Sequence, residues 1–325
     1  MPTQIIPPDT KIDFLGKARL AVTVSVLIIL AGLASALIQG VRWGIDFAGG
    51  TEMQVRFEQK VEDTGAVRDA VESVGVAEPT VVRVTEGGRE AFTINFASKA
   101  EEEEKQGQIA DRIQAALAEQ VGPVEVERVE FVGPKVGAEL RRDGTQAMLI
   151  SGVLILLYVG LRFNLQFAPG GVVALIHDVL VTASIWQLLG QTFDLQVLAA
   201  LLAIIGYSIN DTIVIFDRIR EMISTHTTHD IVEVTNRAVN LTLSRTILTS
   251  LLTMLSVIAL LAFAGPVVFP FTATMGIGII VGCYSTVYIA SPVMLLMERW
   301  RSQRDPKAGK AKPGGGKRAK AARAN

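Results

Sequence analysis

The sequence predicts a polytopic α-helical membrane protein with one α+β domain held outside the bilayer, and three observations carry that prediction. Half of the 325 residues are hydrophobic and only 19% are charged, with a mean hydropathy of +0.39, which is too apolar for a soluble domain of this size. Six apolar stretches approach the roughly 20 residues needed to cross a bilayer core. Between the first two lies a long polar segment, residues 39–143, in which strand-like alternation gives way twice to helical periodicity.

The spans run from Leu20 to Ile38, about Gly144 to Phe163, Gly170 to Leu189, Leu195 to Phe216, Ile247 to Phe263 and Phe271 to Met297, the fifth being long enough only if its helix begins earlier. The first follows Lys11, Lys17 and Arg19 and contains Ala34-Ser35-Ala36, features shared with a cleaved signal. Its apolar run is longer than a signal core, so it is assigned as a retained span. Lys11, Lys17, Arg19, Arg162, Arg218, Arg220, Arg237, Arg245 and a basic tail alternate with the Gly190 to Asp194 and Ala264 to Pro270 loops, which carry neither Lys nor Arg. The positive-inside rule then places both termini in the cytoplasm. The expected organisation is a cytoplasmic segment 1–19, a transmembrane helix 20–38, a periplasmic domain 39–143, a five-helix bundle 144–297 and a cytoplasmic tail 298–325.

Within the polar segment, "TEMQVRFE" alternates as a strand and "TGAVRDAVESVG" reads as a short amphipathic helix. "PTVVRVTE" and "EAFTINFA" form two strands joined at Glu86 to Arg89, a second helix runs from about Ala100 to Gln120, and "PVEVERVEFV" is a last strand. The order β-α-β-β-α-β is that of a ferredoxin-like unit. "GIDFAGGT", Gly44 to Thr51, leads into this domain, and "GPKVGAELRRDG" returns the chain to the second span. The Gly49-Gly50 pair lacks the spacing, lysine and location of a phosphate cradle, so it reads as a tight turn beneath a strand. The last 28 residues hold ten Lys/Arg against two acids and are Gly/Pro-rich, which predicts a disordered, solvated tail, with anionic lipid or ribosomal RNA as the alternative contacts.

Ionisable groups inside spans are expensive and therefore informative. His177-Asp178 lies in span three, Asp211 in span four within "GYSINDTIVIFDR", and Arg245 at the start of span five. At about 1.5 Å rise per residue, the first two sites are roughly 9 to 12 Å deep, and Arg245 reaches that level if its helix begins near Asn236. Tyr207, Ser208 and Asp211 share one helix face through i+3 and i+4 spacing, with Asn210 and Thr212 beside them. Burial opposes ionisation of Asp211 and a nearby guanidinium favours it, so the carboxyl can act as a proton-carrying switch. The alternatives are a snorkelling Arg245, a packing role for His177 and interfacial roles for Asp217 and Arg218. No nucleophile elbow, His-Glu metal motif or P-loop is present, so no enzyme, cofactor or metal is expected. The single Cys283 excludes an intrachain disulfide.

"GIDFAGGT", "VALIHDVLVT", "AALLAIIGYSINDTIVIFDRIRE", "LSRTILTS" and "GIIVGCYSTVYIASP" occur in order between about Phe14 and Glu298. Through them the chain resembles the SecD/SecF family of protein-export membrane subunits in the resistance-nodulation-division superfamily. Met222, where the family often has Asn, is a small departure. The resemblance implies half of a transporter-like fold in the bacterial inner membrane, completed by SecD and working beside the SecYEG channel on unfolded preproteins, with YajC a further partner. It also implies use of a proton gradient, or a sodium gradient in some members, with no covalent chemistry and no specific nucleic acid. By resemblance, Asp211 and Arg245 are the ion-coupling pair, with His177, Asp178, Asn210 and Thr212 around them, and Gly44, Asp46, Gly49, Gly50, Asp217 and Arg218 hold motif positions. A passive scaffold of the channel and half of a proton-driven lipid or small-molecule exporter remain as alternatives.

Overall fold

The computed structural model describes residue 7 and residues 10–76, 79–86, 89–96, 103–162, 168–225, 230–263 and 265–304. The basic tail beyond Arg304, the Gly87-Gly88 turn, His226, His229 and the expected helix start at Ala100 lie outside the described residues.

Helix α1 (Ala18–Gln39) is followed by the one-turn helix α2 (Ile45–Ala48), which the sequence did not predict, and by strand β1 (Gly50–Phe57). Helix α3 (Thr64–Ser73), strands β2 (Thr80–Glu86) and β3 (Arg89–Phe96), helix α4 (Glu103–Gln120) and strand β4 (Val124–Val132) complete the domain. The sheet has the order β2-β3-β1-β4, and each neighbouring pair is antiparallel. Alternation decides which face is buried. Met53, Val55 and Phe57 of β1 join Phe92, Ile94 and Phe96 of β3 in one core, closed by Val67, Ala70 and Val71 of α3 and by Ile113 and Leu117 of α4. The intervening β1 residues turn the other way and pair with β4, Glu52 with Arg128 at 2.9 Å and Arg56 with Glu127 at 2.7 Å. Asp63 caps α3 by accepting from Gly65 N at 2.7 Å.

Among the described residues, six helices are long and apolar enough to cross a membrane. They are α1, α5 (Pro134–Arg162), α6 (Ala168–Leu188), α7 (Leu195–Thr225), α8 (Ile231–Phe263) and a sixth made of α9 (Phe269–Ser285), a π turn (Thr286–Ala290) and α10 (Ser291–Arg304). The spans depart from the sequence expectation at several points, and α7 runs on to Thr225, past the expected end at Phe216. Helix α5 begins at Pro134, ten residues before Gly144, because Lys135, Glu139, Arg141 and Arg142 are good helix formers that extend the helix beyond its apolar length. Helix α8 begins at Ile231, earlier than the start near Asn236 that the depth of Arg245 requires, so Arg245 lies well inside it. The sixth span is not uniform: Pro292 lacks an N–H and its ring crowds the preceding turn, and the π turn directly before it widens the backbone there. Ser291 Oγ donates to Thr286 O at 3.1 Å across that widened turn.

The bundle core is built from α6, α7 and the sixth span, where Leu175, Ile209, Phe216, Ile219, Val287 and Met294 share one buried cluster. Helix α1 lies outside this core and meets it through a heptad of small residues, Ala18, Ser25 and Gly32, while Leu20, Leu27, Leu30 and Leu37 stay exposed. A Cβ on Gly32 would stand 2.4 Å from Ser184 Cβ and 2.7 Å from Ser184 Cα, so the α1–α6 crossing depends on that glycine.

Candidate functional site

A hydrogen-bonded chain crosses the bundle from α1 to α7. Ser25 Oγ lies 2.8 Å from Tyr284 Oη and 2.8 Å from His177 Nε2, and His177 Nδ1 lies 3.0 Å from Asp178 Oδ1. Ser208 Oγ donates to Asp178 Oδ2, and Tyr284 Oη donates to the carbonyl of Ala21. Asp178 is completely buried, so its carboxylate is held in a low-dielectric interior by two side-chain partners. Thr212, one turn beyond Ser208, back-bonds to Ser208 O at 3.3 Å and reaches Thr286 Oγ1 at 3.5 Å, which ties α7 to the π turn.

Asp211 follows Ser208 by three residues, so the His177–Asp178 level meets α7 one turn from it. Its side chain is buried, and Oδ2 has no hydrogen-bond partner among the described residues. Arg245 is exposed on α8 and forms no ion pair with Asp211 within 4 Å among the described residues, although its charge acts on that carboxylate through space. The two helices share a level: Tyr207 Oη donates to Ser250 Oγ at 3.2 Å, and Arg245 lies about one and a half turns from Ser250. An open cleft of about 570 Å³ lies between α7 and α8 on the side away from the α+β domain, lined by Asn210, Val214, Asp217, Arg218, Thr242 and Arg245 among others. Asn210 is exposed there, and Arg218 is occupied by Glu221 at 2.6 Å.

The remaining motif residues lie at the opposite end of the bundle. Gly49 and Gly50 have φ of 74° and 134°, a region that favours glycine, and a Cβ on Gly49 would come 3.0 Å from Pro134 Cα. Gly44 and Asp46 face the loop that leads into α7, where Gly44 N donates to Phe193 O at 2.8 Å and Asp46 Oδ2 accepts from Leu195 N at 3.0 Å. The tight turn beneath a strand is present, with α2 inserted before it.

Asp194 in the same loop, outside the spans, caps α7 by accepting from Val197 N at 2.8 Å. Burial pushes its carboxyl up from 3.8 to about 6, assisted by the Asp46 and Glu52 carboxylates and opposed by the Val197 and Gln196 amides. A folded value above the unfolded one favours the protonated form, so this group's contribution to stability is present below the unfolded value and is lost as pH rises through about 6. The melting temperature of wild type in micelles is therefore expected to fall relative to Asp194→Asn between about pH 4 and about pH 7. Parallel profiles for the two proteins would remove Asp194 as the cause.

Ser25 and Tyr284 were not singled out from the sequence. Their signal was a hydroxyl within an otherwise apolar run, weak because Ser and Thr routinely bond back to their own helix, as Thr23 does to Arg19 O.

The family described as protein export membrane protein SecD/SecF, C-terminal, matches residues 112–300, and the SecD/SecF GG motif matches residues 34–61, which include Gly44, Asp46, Gly49 and Gly50. A protein translocase subunit SecF from Calditerrivibrio nitroreducens is 41% identical over 305 residues, covering 92% of this chain and 98% of its own length. Its counterpart from Pseudomonas aeruginosa is 39% identical over 284 residues, 87% of this chain and 90% of its own. The crystal structure of SecDF, a translocon-associated membrane protein from Thermus thermophilus, superposes with a TM-score of 0.79 at 34% identity, covering 91% of this chain and 40% of that one. SecDF in its super-membrane-facing form gives 0.67 at 33% identity, covering 94% and 41%. The chain thus spans nearly the full length of the SecF relatives and about two fifths of the SecDF chains. Six helices long and apolar enough to span a membrane among the described residues, a domain inserted after the first, and matches to both family models agree in one assignment: the chain belongs to the SecD/SecF family of protein export membrane proteins.

Proposed function

We propose that this chain is an accessory subunit of a protein translocase that, together with a SecD-type half, converts an ion gradient into movement of an exported polypeptide. The observation that carries the ion step is Asp211, a carboxylate buried in span four with one oxygen lacking a hydrogen-bond partner among the described residues, at the level of a cationic Arg245 in span five. Burial and the guanidinium act on it in opposite directions, so a small helix displacement that changes either one changes its proton occupancy. The open cleft from Arg245 and Asn210 to Asp217 lies beside Asp211 on the side away from the α+β domain. The His177–Asp178–Ser208 chain holds α7 one turn before Asp211 on the same helix face and sets the resting position of Asp211.

The α+β domain, with the 4-1-3-2 strand order of a ferredoxin-like unit, then lies in the periplasm and both termini in the cytoplasm, following the distribution of Lys and Arg between loops. The domain spans residues 39–143 in the sequence organisation, and the five remaining spans form the membrane bundle. SecD, the SecYEG channel and the emerging preprotein are the partners, with YajC and anionic lipid as further contacts. Protonation of Asp211 from outside weakens its attraction to Arg245, lets α7 and α8 shift and tilts the domain, and inward release resets it. The electrical part of one proton's passage is worth about 2.3 kcal/mol per 100 mV, enough to bias a two-state equilibrium more than tenfold. The carried ion is H+ or Na+, and no bond is made or broken.

The test is completion of preprotein export in proteoliposomes holding this chain, its partner half and the channel, with a gradient imposed after the ATP-dependent steps. Acceleration by the gradient that disappears when an ionophore selective for the imposed ion collapses it supports coupling. Equal export with and without the gradient would leave a scaffold.

A further inference from the structure

Covalent connections attach the α+β domain to spans one and two, whereas Asp211 is in span four. Helix α7 packs on α5 near Gly144 and Leu198, and its directly hydrogen-bonded route to the domain among the described residues lies at the GG motif. Phe193 N donates to Arg42 O at 2.7 Å and Gly44 N donates to Phe193 O at 2.8 Å, so the chain leaving α1 and the chain entering α7 run side by side as a short parallel pair. Arg42 Nη1 donates to Gly190 O at 2.7 Å, and Trp43 contacts both Phe47 and Phe193 with ring centroids 5.9 and 6.2 Å apart. Asp46 completes the junction from α2, its Oδ2 accepting from Leu195 N at 3.0 Å, one of the orphan donors at the start of α7.

Four residues after Asp46, Gly50 begins β1, a central strand of the sheet, and Gly49 seats that connection on α5 at Pro134. The other end of the junction is equally direct. Asp211 lies sixteen residues along α7 from Leu195, about 24 Å at the helical rise, with no break in the helix between them. There is no room for slack at Gly44, where a Cβ would stand 2.9 Å from Asp194 Cβ.

We propose that the hydrogen bond from Leu195 N to Asp46 is the transmission by which displacement of α7 reaches the α+β domain, with Asp46 a positioning residue. The inference rests on the ion-coupling reading of Asp211. An axial shift of α7 moves Leu195, the clasp carries Asp46 and α2 with it, and β1 follows because it is continuous with α2.

The experiment measures two quantities on the complete complex in proteoliposomes: ion flux, from a pH indicator in the lumen, and gradient-driven preprotein export. Asp46→Ala is expected to keep ion flux while export per proton falls roughly tenfold, within the range a broken coupling between two sites removes. Asp46→Asn, whose amide oxygen can accept the same bond, restores most of it. Leu195→Pro removes the donor instead, at a first helical position that tolerates proline, and is expected to match Asp46→Ala, with the double variant no worse than either alone. Recovery of the variants in complex with the partner half separates loss of coupling from loss of folding. Unchanged export per proton in assembled Asp46→Ala overturns the proposal, as does Asp46→Asn failing like Ala, or flux and export falling in parallel. Asp211→Asn measured alongside keeps the two readings apart: if it retains flux, the ion-coupling reading fails, whatever the Asp46 variants show.

Discussion

Asp211→Asn is expected to abolish the gradient-driven stage of export, at least tenfold in rate, while the complex assembles and the ATP-dependent stage is untouched. The substitution is nearly isosteric, so packing around a buried side chain in α7 is preserved. What disappears is the ability to gain and lose charge. Asn suits a structural hydrogen bond at this depth better than Asp, because it avoids the desolvation penalty of a carboxylate. An Asp that served only as a polar group would therefore be replaced without loss. The measurement is export in inverted vesicles with the gradient imposed after ATP is removed, beside copurification of the partner half. Wild-type rates in assembled Asp211→Asn would reduce the carboxylate to a structural element.

Gly32→Leu is expected to detach span one from the bundle and destabilise the protein by more than the roughly 1–3 kcal/mol typical of an overpacked core. Even a Cβ at this position would sit 2.7 Å from the Cα of Ser184, so backbone, rather than a rotating side chain, must move. In a bilayer the contact between helices is mostly dispersion between close-packed small residues, and a spacer there forfeits it along the whole seam of Ala18, Ser25 and Gly32. The displacement also breaks the 2.8 Å contact between Ser25 and His177, two turns away on the same face. Thermal unfolding in micelles reads the loss. Ser184→Gly in the same chain is expected to recover part of it, since the Cβ conflict at 2.4 Å is removed and the Cα conflict stays. An unaltered melting temperature for Gly32→Leu would show that α1 is not held by this crossing.

The two predictions differ in how they could be reached. Asp211 was legible because charge in an apolar run violates the solvation rule of the bilayer, and one residue suffices to show the violation. Gly32 was not, since glycine is common in spans and its importance depends on a neighbour 152 residues away. The same contrast holds for the polar network. His177 and Asp178 stood out, whereas Ser25 and Tyr284 acquired meaning only when α1 and α9 were placed beside α6.

The sequence by itself determined the strands and the long helices and their order, though not the one-turn helix α2 or the π turn, because solvation and periodicity are local: apolar length sets a span, alternation sets a strand, and depth along a helix follows from counting residues. It placed Arg245 at the level of Asp211 only on the condition that the fifth helix begins near Asn236, and the structure supplied the start at Ile231. Only the tertiary structure decided that Asp211 makes no direct ion pair with Arg245, that Asp178 is anchored to Ser208, and that Asp46 grips the start of α7. Those facts depend on which helix faces which and at what rotation. That is set by packing of small residues across several helices at once, and no stretch of a single helix encodes it.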